Sequence, residues 1–72
     1  MEKLVLSNIT NRVATITLNS PQKYNALTAE MGKQFRSEIE KLCDPHTLDS
    51  IDAVILTGAG QAFSSGGKIS WL

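Results

Sequence analysis

The sequence predicts a mixed α/β fold, and three observations carry that prediction. Alternating apolar and polar residues flank Thr10-Asn11-Arg12. A stretch of 3.6-residue apolar period follows Thr28, and an unbroken apolar run, Ala53-Val54-Ile55-Leu56, leads into a glycine-rich loop. Alternation marks strands, the longer period marks a helix, and a short apolar run with β-branched residues marks a strand buried on both faces. The expected order is strand, strand, helix, strand, glycine loop, with a further helix possible from Ser70.

The elements follow in turn. Leu4 and Leu6, and then Val13, Thr15 and Thr17 against Ala14, Ile16 and Leu18, predict a hairpin of strands near 3 to 9 and 12 to 18. Asn11 is the residue best able to take positive φ in the turn between them. Pro21 stops the second strand, and an irregular loop runs to Leu27. Thr28 is an N-cap, and Glu30 places a carboxylate near the positive end of the helix dipole. Leu27, Met31, Phe35, Ile39 and Leu42 form the core stripe of this helix. Gly32 costs about 1 kcal/mol against alanine there, so either a close backbone approach or a weak first turn is expected. Asp44-Pro45 ends the helix, Cys43 packs as a small apolar residue, and His46 sits without a role in a polar connector from Asp44 to Asp49. The run from Ala53 to Thr57 reads as a central parallel strand.

Composition excludes several classes. Seven basic residues balance seven acidic ones, leaving no field for nucleic acid or an anionic membrane surface. The single Cys43 and single His46 supply neither a disulfide framework nor a metal cluster. Met1-Glu2-Lys3 opens neither an export leader nor a transit segment, and no apolar stretch nears the ~20 residues of a membrane helix, so a soluble intracellular protein is expected. A chain of 72 residues buries only about 60% of its unfolded surface. It stops two residues after Ser70, where a helix could begin, and reads as truncated.

The loop from Thr57 to Lys68 carries the chemistry. Gly66 and Gly67 can turn backbone N–H groups toward an anion or oxyanion, although a plain glycine-rich connector is the alternative on composition alone. A P-loop ending on Gly67-Lys68 would need glycine at Ala62 and a hydroxyl at Ile69. A dinucleotide fingerprint begun on Gly58-x-Gly60 would need glycine at Phe63. A nucleophile elbow at Ala62-Phe63-Ser64-Ser65-Gly66 departs only by alanine for glycine, but Ser64 lies well past the strand, and His46 precedes the serine it would have to follow.

A fourth pattern fits. Thr57-Gly58-x-Gly60-x-x-Phe63-Ser64-Ser65-Gly66-Gly67 resembles the loop after the third strand of the enoyl-CoA hydratase/isomerase (crotonase) family, and Pro21-Gln22-Lys23-Tyr24-Asn25-Ala26-Leu27 is similar to that family's P-x-x-x-N-A-L. The resemblance spans essentially the whole chain. It implies that residues 1–72 are the N-terminal fragment of a crotonase-like domain, the opening of a spiral of β-β-α units. It also implies a full-length enzyme of fatty acid metabolism, a lyase or isomerase acting on acyl-CoA thioesters, with residues 1–72 inactive alone. Coenzyme A would arrive as part of the substrate, with no separate cofactor, and the protein would be a homo-oligomer, a trimer or hexamer. The N–H of Gly67 would be one oxyanion donor. Lys23, Asn25, Ala26, Ser65 and Gly66 would line the path of the CoA, with Lys23 facing its phosphates. Lys68 stands where the family carries Asp, and the second oxyanion donor and catalytic glutamates would lie beyond residue 72, so hydration and isomerisation are not separable here. A non-catalytic acyl-CoA-binding fragment and, more remotely, a serine hydrolase using Ser64 are the alternatives.

Overall fold

The computed structural model describes residues 3–66. Strand β1 (Val5–Thr10) and strand β2 (Val13–Leu18) form an antiparallel hairpin in which Val5 faces Leu18 and Thr10 faces Val13. Its two turn residues, Asn11 and Arg12, both have positive φ, 52° and 65°. Such a turn twists with its strands, so Arg12 joins the expected Asn11 in the left-handed region. Strand β3 (Ala53–Gly58) lies parallel to β2, with Val13 opposite Ala53 and Leu18 opposite Gly58. Sheet order is β1-β2-β3, and the connection from β2 to β3 carries the helices.

Helix α1 (Ala29–Leu42) starts where Thr28 caps it, the threonine hydroxyl accepting from the Met31 N–H at 3.2 Å. Val5, Ala14, Ile16, Leu18, Met31 and Leu42 form the buried core, flanked by partly buried Leu4, Leu27, Phe35, Ile39 and Ile51. On β1 it is Val5 that enters this core, while Leu6 is exposed on the opposite face of the sheet. Two polar side chains also join α1 to β1 and the residue before it. Gln34 Oε1 accepts from the Leu4 N–H at 2.7 Å, and the Glu38 carboxylate accepts from the Ser7 hydroxyl.

Three expectations about these elements need correction. Strand β3 is parallel, but among the described residues it is the edge of the sheet, and its residues from Ala53 to Thr57 are exposed. Burial on both faces requires layers on both sides, whereas α1 packs over β1 and β2. Cys43 is exposed, because the helix turns Leu42 into the core instead. The polar connector contains a short helix, α2 (Pro45–Leu48), capped by Asp44 Oδ2, which accepts from the N–H groups of His46 and Thr47 at 3.2 and 3.3 Å. His46 itself is exposed on it.

The hairpin turn is tied to the start of β3 by Arg12. Its guanidinium meets both Asp52 oxygens, at 2.9 and 3.0 Å, and the Asp52 N–H donates to the Arg12 carbonyl at 2.7 Å. Both side chains are exposed, so this clamp sets register more than it adds stability. No helix among the described residues is long and apolar enough to cross a membrane.

Candidate functional site

The two sequence signatures meet at the same end of the sheet, where β2 and β3 finish. After Leu18 the chain makes a single 3-10 turn (Pro21–Lys23) and then places Tyr24 and Asn25 in the left-handed region, with φ of 51° and 55°. Asparagine tolerates that region well, and tyrosine does so at a cost of roughly 1 to 2 kcal/mol. This double left-handed step reverses the chain. It lets the Ser20 carbonyl accept from the N–H groups of both Lys23 and Asn25, at 3.0 and 2.9 Å.

The glycine loop comes back against that reversal. The Ser65 N–H donates to the Tyr24 carbonyl at 2.8 Å, and the Leu27 N–H donates to the Gly66 carbonyl at 3.0 Å. The Ser64 hydroxyl donates to the Asn25 carbonyl at 2.8 Å and accepts from the Gly66 N–H at 3.1 Å. The Asn25 side chain completes the joint. Its Oδ1 accepts from the Ser20 N–H at 2.7 Å, and its Nδ2 donates to the carbonyls of Ala59 and Ala62 at 3.0 and 2.8 Å. Asn25 is 0% exposed, and each of its side-chain hydrogen bonds is made to backbone.

Two glycines are required by close approach. A Cβ on Gly58 would lie 2.5 Å from the Ala62 carbonyl oxygen and 2.7 Å from Asn25 Nδ2, and closer still to the Phe63 carbonyl. A Cβ on Gly60, where φ is 82°, would lie 2.8 Å from Pro21 Cβ. The T-G-x-G spacing therefore matches the P-x-x-x-N spacing residue against residue: Gly58 makes room for Asn25, and Gly60 makes room for Pro21.

The placement of the candidate residues follows from this joint. Lys23, Ser65 and Gly66 are exposed, and Ala26 is half-buried between them, its N–H donating to the Lys23 carbonyl at 3.1 Å. The Ser65–Tyr24 and Gly66–Leu27 backbone bonds bring the two segments that carry these four residues together. Asn25 is a buried strut, with no exposed atom to offer a ligand. Gly67 and Lys68, like the helix expected from Ser70, lie outside the described residues. Ser64 gives its one hydroxyl proton to a backbone carbonyl, which is no base, so the geometry offers nothing to a hydrolytic role.

Beside the joint, an apolar groove of about 350 Å³ opens between α1, β3 and the loop, with Met31, Phe35, Leu56 and Phe63 among its walls. Gly32 also lines it, and nothing lies within 4 Å of the position of a Cβ there. The close backbone approach considered for Gly32 is therefore absent. What remains is a helix with an intrinsically weak first turn.

A hairpin, a helical crossover to a parallel strand, and a glycine loop folded back on the segment before the helix together define a class of fold. Solved structures share it: the enoyl-CoA hydratase from Mycobacterium avium superposes with a TM-score of 0.77 at 38% identity, over 96% of this chain and 30% of that one. The enoyl-CoA hydratase from Mycobacterium tuberculosis H37Rv gives 0.76 at 38% identity, over 93% and 29%. These are crotonase-fold proteins. The family model described as enoyl-CoA hydratase/isomerase matches residues 8–71, and the chain belongs to that family. Among curated relatives, the protein named probable enoyl-CoA hydratase EchA14 of M. tuberculosis is 42% identical over 69 residues, 94% of this chain and 25% of its own length. The 1,2-epoxyphenylacetyl-CoA isomerase of Escherichia coli is 33% identical over 66 residues, 92% of this chain and 24% of its own length. The chain thus spans about a quarter of the length of the curated relatives it matches.

Proposed function

We propose that the full-length protein carrying this segment is an enoyl-CoA hydratase or isomerase, and that this segment supplies one wall of its acyl-CoA site with one oxyanion donor, the N–H of Gly67. The observation that carries the reading is the joint itself. Five hydrogen bonds, two from Asn25 Nδ2 and one each from the Ser64 hydroxyl, the Ser65 N–H and the Leu27 N–H, run between the two family signatures, and the Ser20 and Gly66 N–H bonds brace the two sides of the joint. The joint brings the segment of Lys23 and Ala26 against that of Ser65 and Gly66, which immediately precede Gly67 in the chain.

The chemistry needs such rigidity. When a proton or water adds to or leaves an acyl-CoA, the thioester carbonyl passes through an enolate, and N–H groups already aimed at its oxygen stabilise the transition state more than the ground state. In this reading Ala26, Ser65 and Gly66 line the CoA path, and Lys23, which is exposed, faces the phosphates. Coenzyme A comes with the substrate, no separate cofactor is required, and the active form is a homo-oligomer.

The test is to move the backbone donor. In the full-length protein, Gly67→Pro deletes the N–H and is expected to lower kcat for crotonyl-CoA by about 100- to 1000-fold, with binding of free coenzyme A weakened far less. Gly67→Ala keeps the N–H and is expected to be nearly silent. A proline variant with wild-type turnover overturns the donor role.

A further inference from the structure

We infer that Tyr24 is a stacking platform for the adenine base of the acyl-CoA, a contact that distinguishes coenzyme A thioesters from thioesters on shorter carriers; this rests on the acyl-CoA reading above. The described residues include four residues other than glycine in the left-handed region, Asn11, Arg12, Tyr24 and Asn25. Two are asparagines, which enter that region readily. Arg12 offsets its strain with two bonds to Asp52. Tyr24 differs from all three: at φ of 51° it is still 55% exposed, so among the described residues burial of its side chain does little to offset the backbone cost. Strain of this kind persists where the surroundings over-determine the backbone, and it collects at sites that grip ligands.

The surroundings here fix the backbone and leave the side chain open. The Tyr24 N–H donates to the Pro21 carbonyl at 3.0 Å, and its carbonyl accepts from the Ser65 N–H at 2.8 Å. One of these bonds closes the 3-10 turn and the other ties it to the glycine loop, so both peptide groups flanking the ring are held. A tyrosine has only two side-chain torsions, and a ring on a fixed backbone is therefore covered by a ligand at little cost in entropy. Stacking of a nucleic-acid base on such a ring is worth about 5- to 150-fold in affinity. Charge narrows the choice of ligand. Lys23 precedes Tyr24 in the chain and is exposed, and an aromatic ring beside an ammonium suits a base that carries phosphates. Within an acyl-CoA only the nucleotide end has both, since the pantetheine arm is neither aromatic nor charged.

The experiment uses the full-length protein and two substrates, crotonyl-CoA and crotonyl-pantetheine, which keeps the reacting thioester and lacks the nucleotide. Its readout is the ratio of kcat/KM for the first to that for the second, with the Kd of adenosine 3′,5′-bisphosphate as a measure independent of turnover. Tyr24→Asn removes the ring and suits left-handed backbone better than tyrosine does, so the variant is expected to fold. It is expected to lower the ratio by about 5- to 150-fold and to raise the nucleotide Kd by a similar factor. Tyr24→Phe and Tyr24→Trp, which keep an aromatic face, are expected to hold the ratio near the wild-type value. A Tyr24→Asn ratio that falls by less than about fivefold overturns the inference, as does a Tyr24→Phe ratio as low as that of Tyr24→Asn. Dissociation of the Tyr24→Asn oligomer in sedimentation also overturns it, because the ring would then belong to a contact between subunits. The two readings fail separately: an active Gly67→Pro removes the oxyanion donor and leaves the ratio to decide on Tyr24, whereas a protein that turns over neither thioester removes the enzyme reading and leaves the nucleotide Kd to decide.

Discussion

Glu38 shows how a single residue can be central to the core and yet escape notice in the sequence. At about 100° per residue, Glu38 and Leu42 fall within roughly 20° of Met31 on the helix, while Ile39 lies about 80° away. The buried line is therefore Met31, Glu38, Leu42, with the apolar Phe35 and Ile39 beside it, because β1 places the Ser7 hydroxyl where a carboxylate can accept it. That bond and the one from Lys41 at 2.9 Å hold the Glu38 carboxyl below its ordinary value, against the opposing effect of burial. A carboxyl with a lowered folded pKa stabilises fully above its unfolded value of 4.5 and loses that contribution as the pH falls through the folded value. Glu38→Gln is expected to cost about 1 to 2 kcal/mol near neutral pH. Its melting-temperature deficit should shrink as the pH drops below about 4.5; a deficit independent of pH would show that the charge is not the source. Asn25 was legible as a motif member, but its burial was not, since nothing in one chain segment reveals that its partners are carbonyls far along the sequence.

Among the elements, those specified by local chemistry were readable and those specified by neighbours were not. Thr28 and the 3.6-residue period gave α1 its start and, apart from Glu38, its inner face, and the alternation from Val13 to Leu18 gave β2 its register against the core. The exposure of β3 could not be read this way, because an apolar run states only that a strand is suited to burial, while covering it takes layers that the described residues do not supply. The fate of Cys43 likewise turned on which of two adjacent residues the last turn directs inward. Gly32 yields a prediction at this scale. With no atom within 4 Å of its Cβ position, Gly32→Ala is expected to stabilise α1 by about 1 kcal/mol, read as a rise in melting temperature. A fall would mean that the groove wall at Gly32 is filled in the full-length protein.

At the scale of the molecule, the sheet ends on an apolar edge. Val54, Ile55 and Leu56 are 55%, 50% and 44% exposed, on a strand whose outer backbone groups have no ladder partner among the described residues. An edge of this kind is a template for pairing with another chain. Residues 1–72 expressed alone are therefore expected to associate with rising concentration in sedimentation experiments. A monodisperse monomer with a sharp cooperative melt would contradict that.

The pairing of the two signatures also has a meaning for heredity. A genetic crossover between the codons for residues 28 and 57 would take the turn from one parent and the glycine loop from another. The Tyr24–Ser65 and Leu27–Gly66 bonds run between backbone groups and would survive most such exchanges. The Asn25 carboxamide, the space above Gly58 and the contact of Pro21 with Gly60 depend on residue identity and would survive only if both parents carried the same residues. Pro21, Asn25, Gly58 and Gly60 would thus have to be inherited together, though α1 and α2 separate the first two from the last two along the chain.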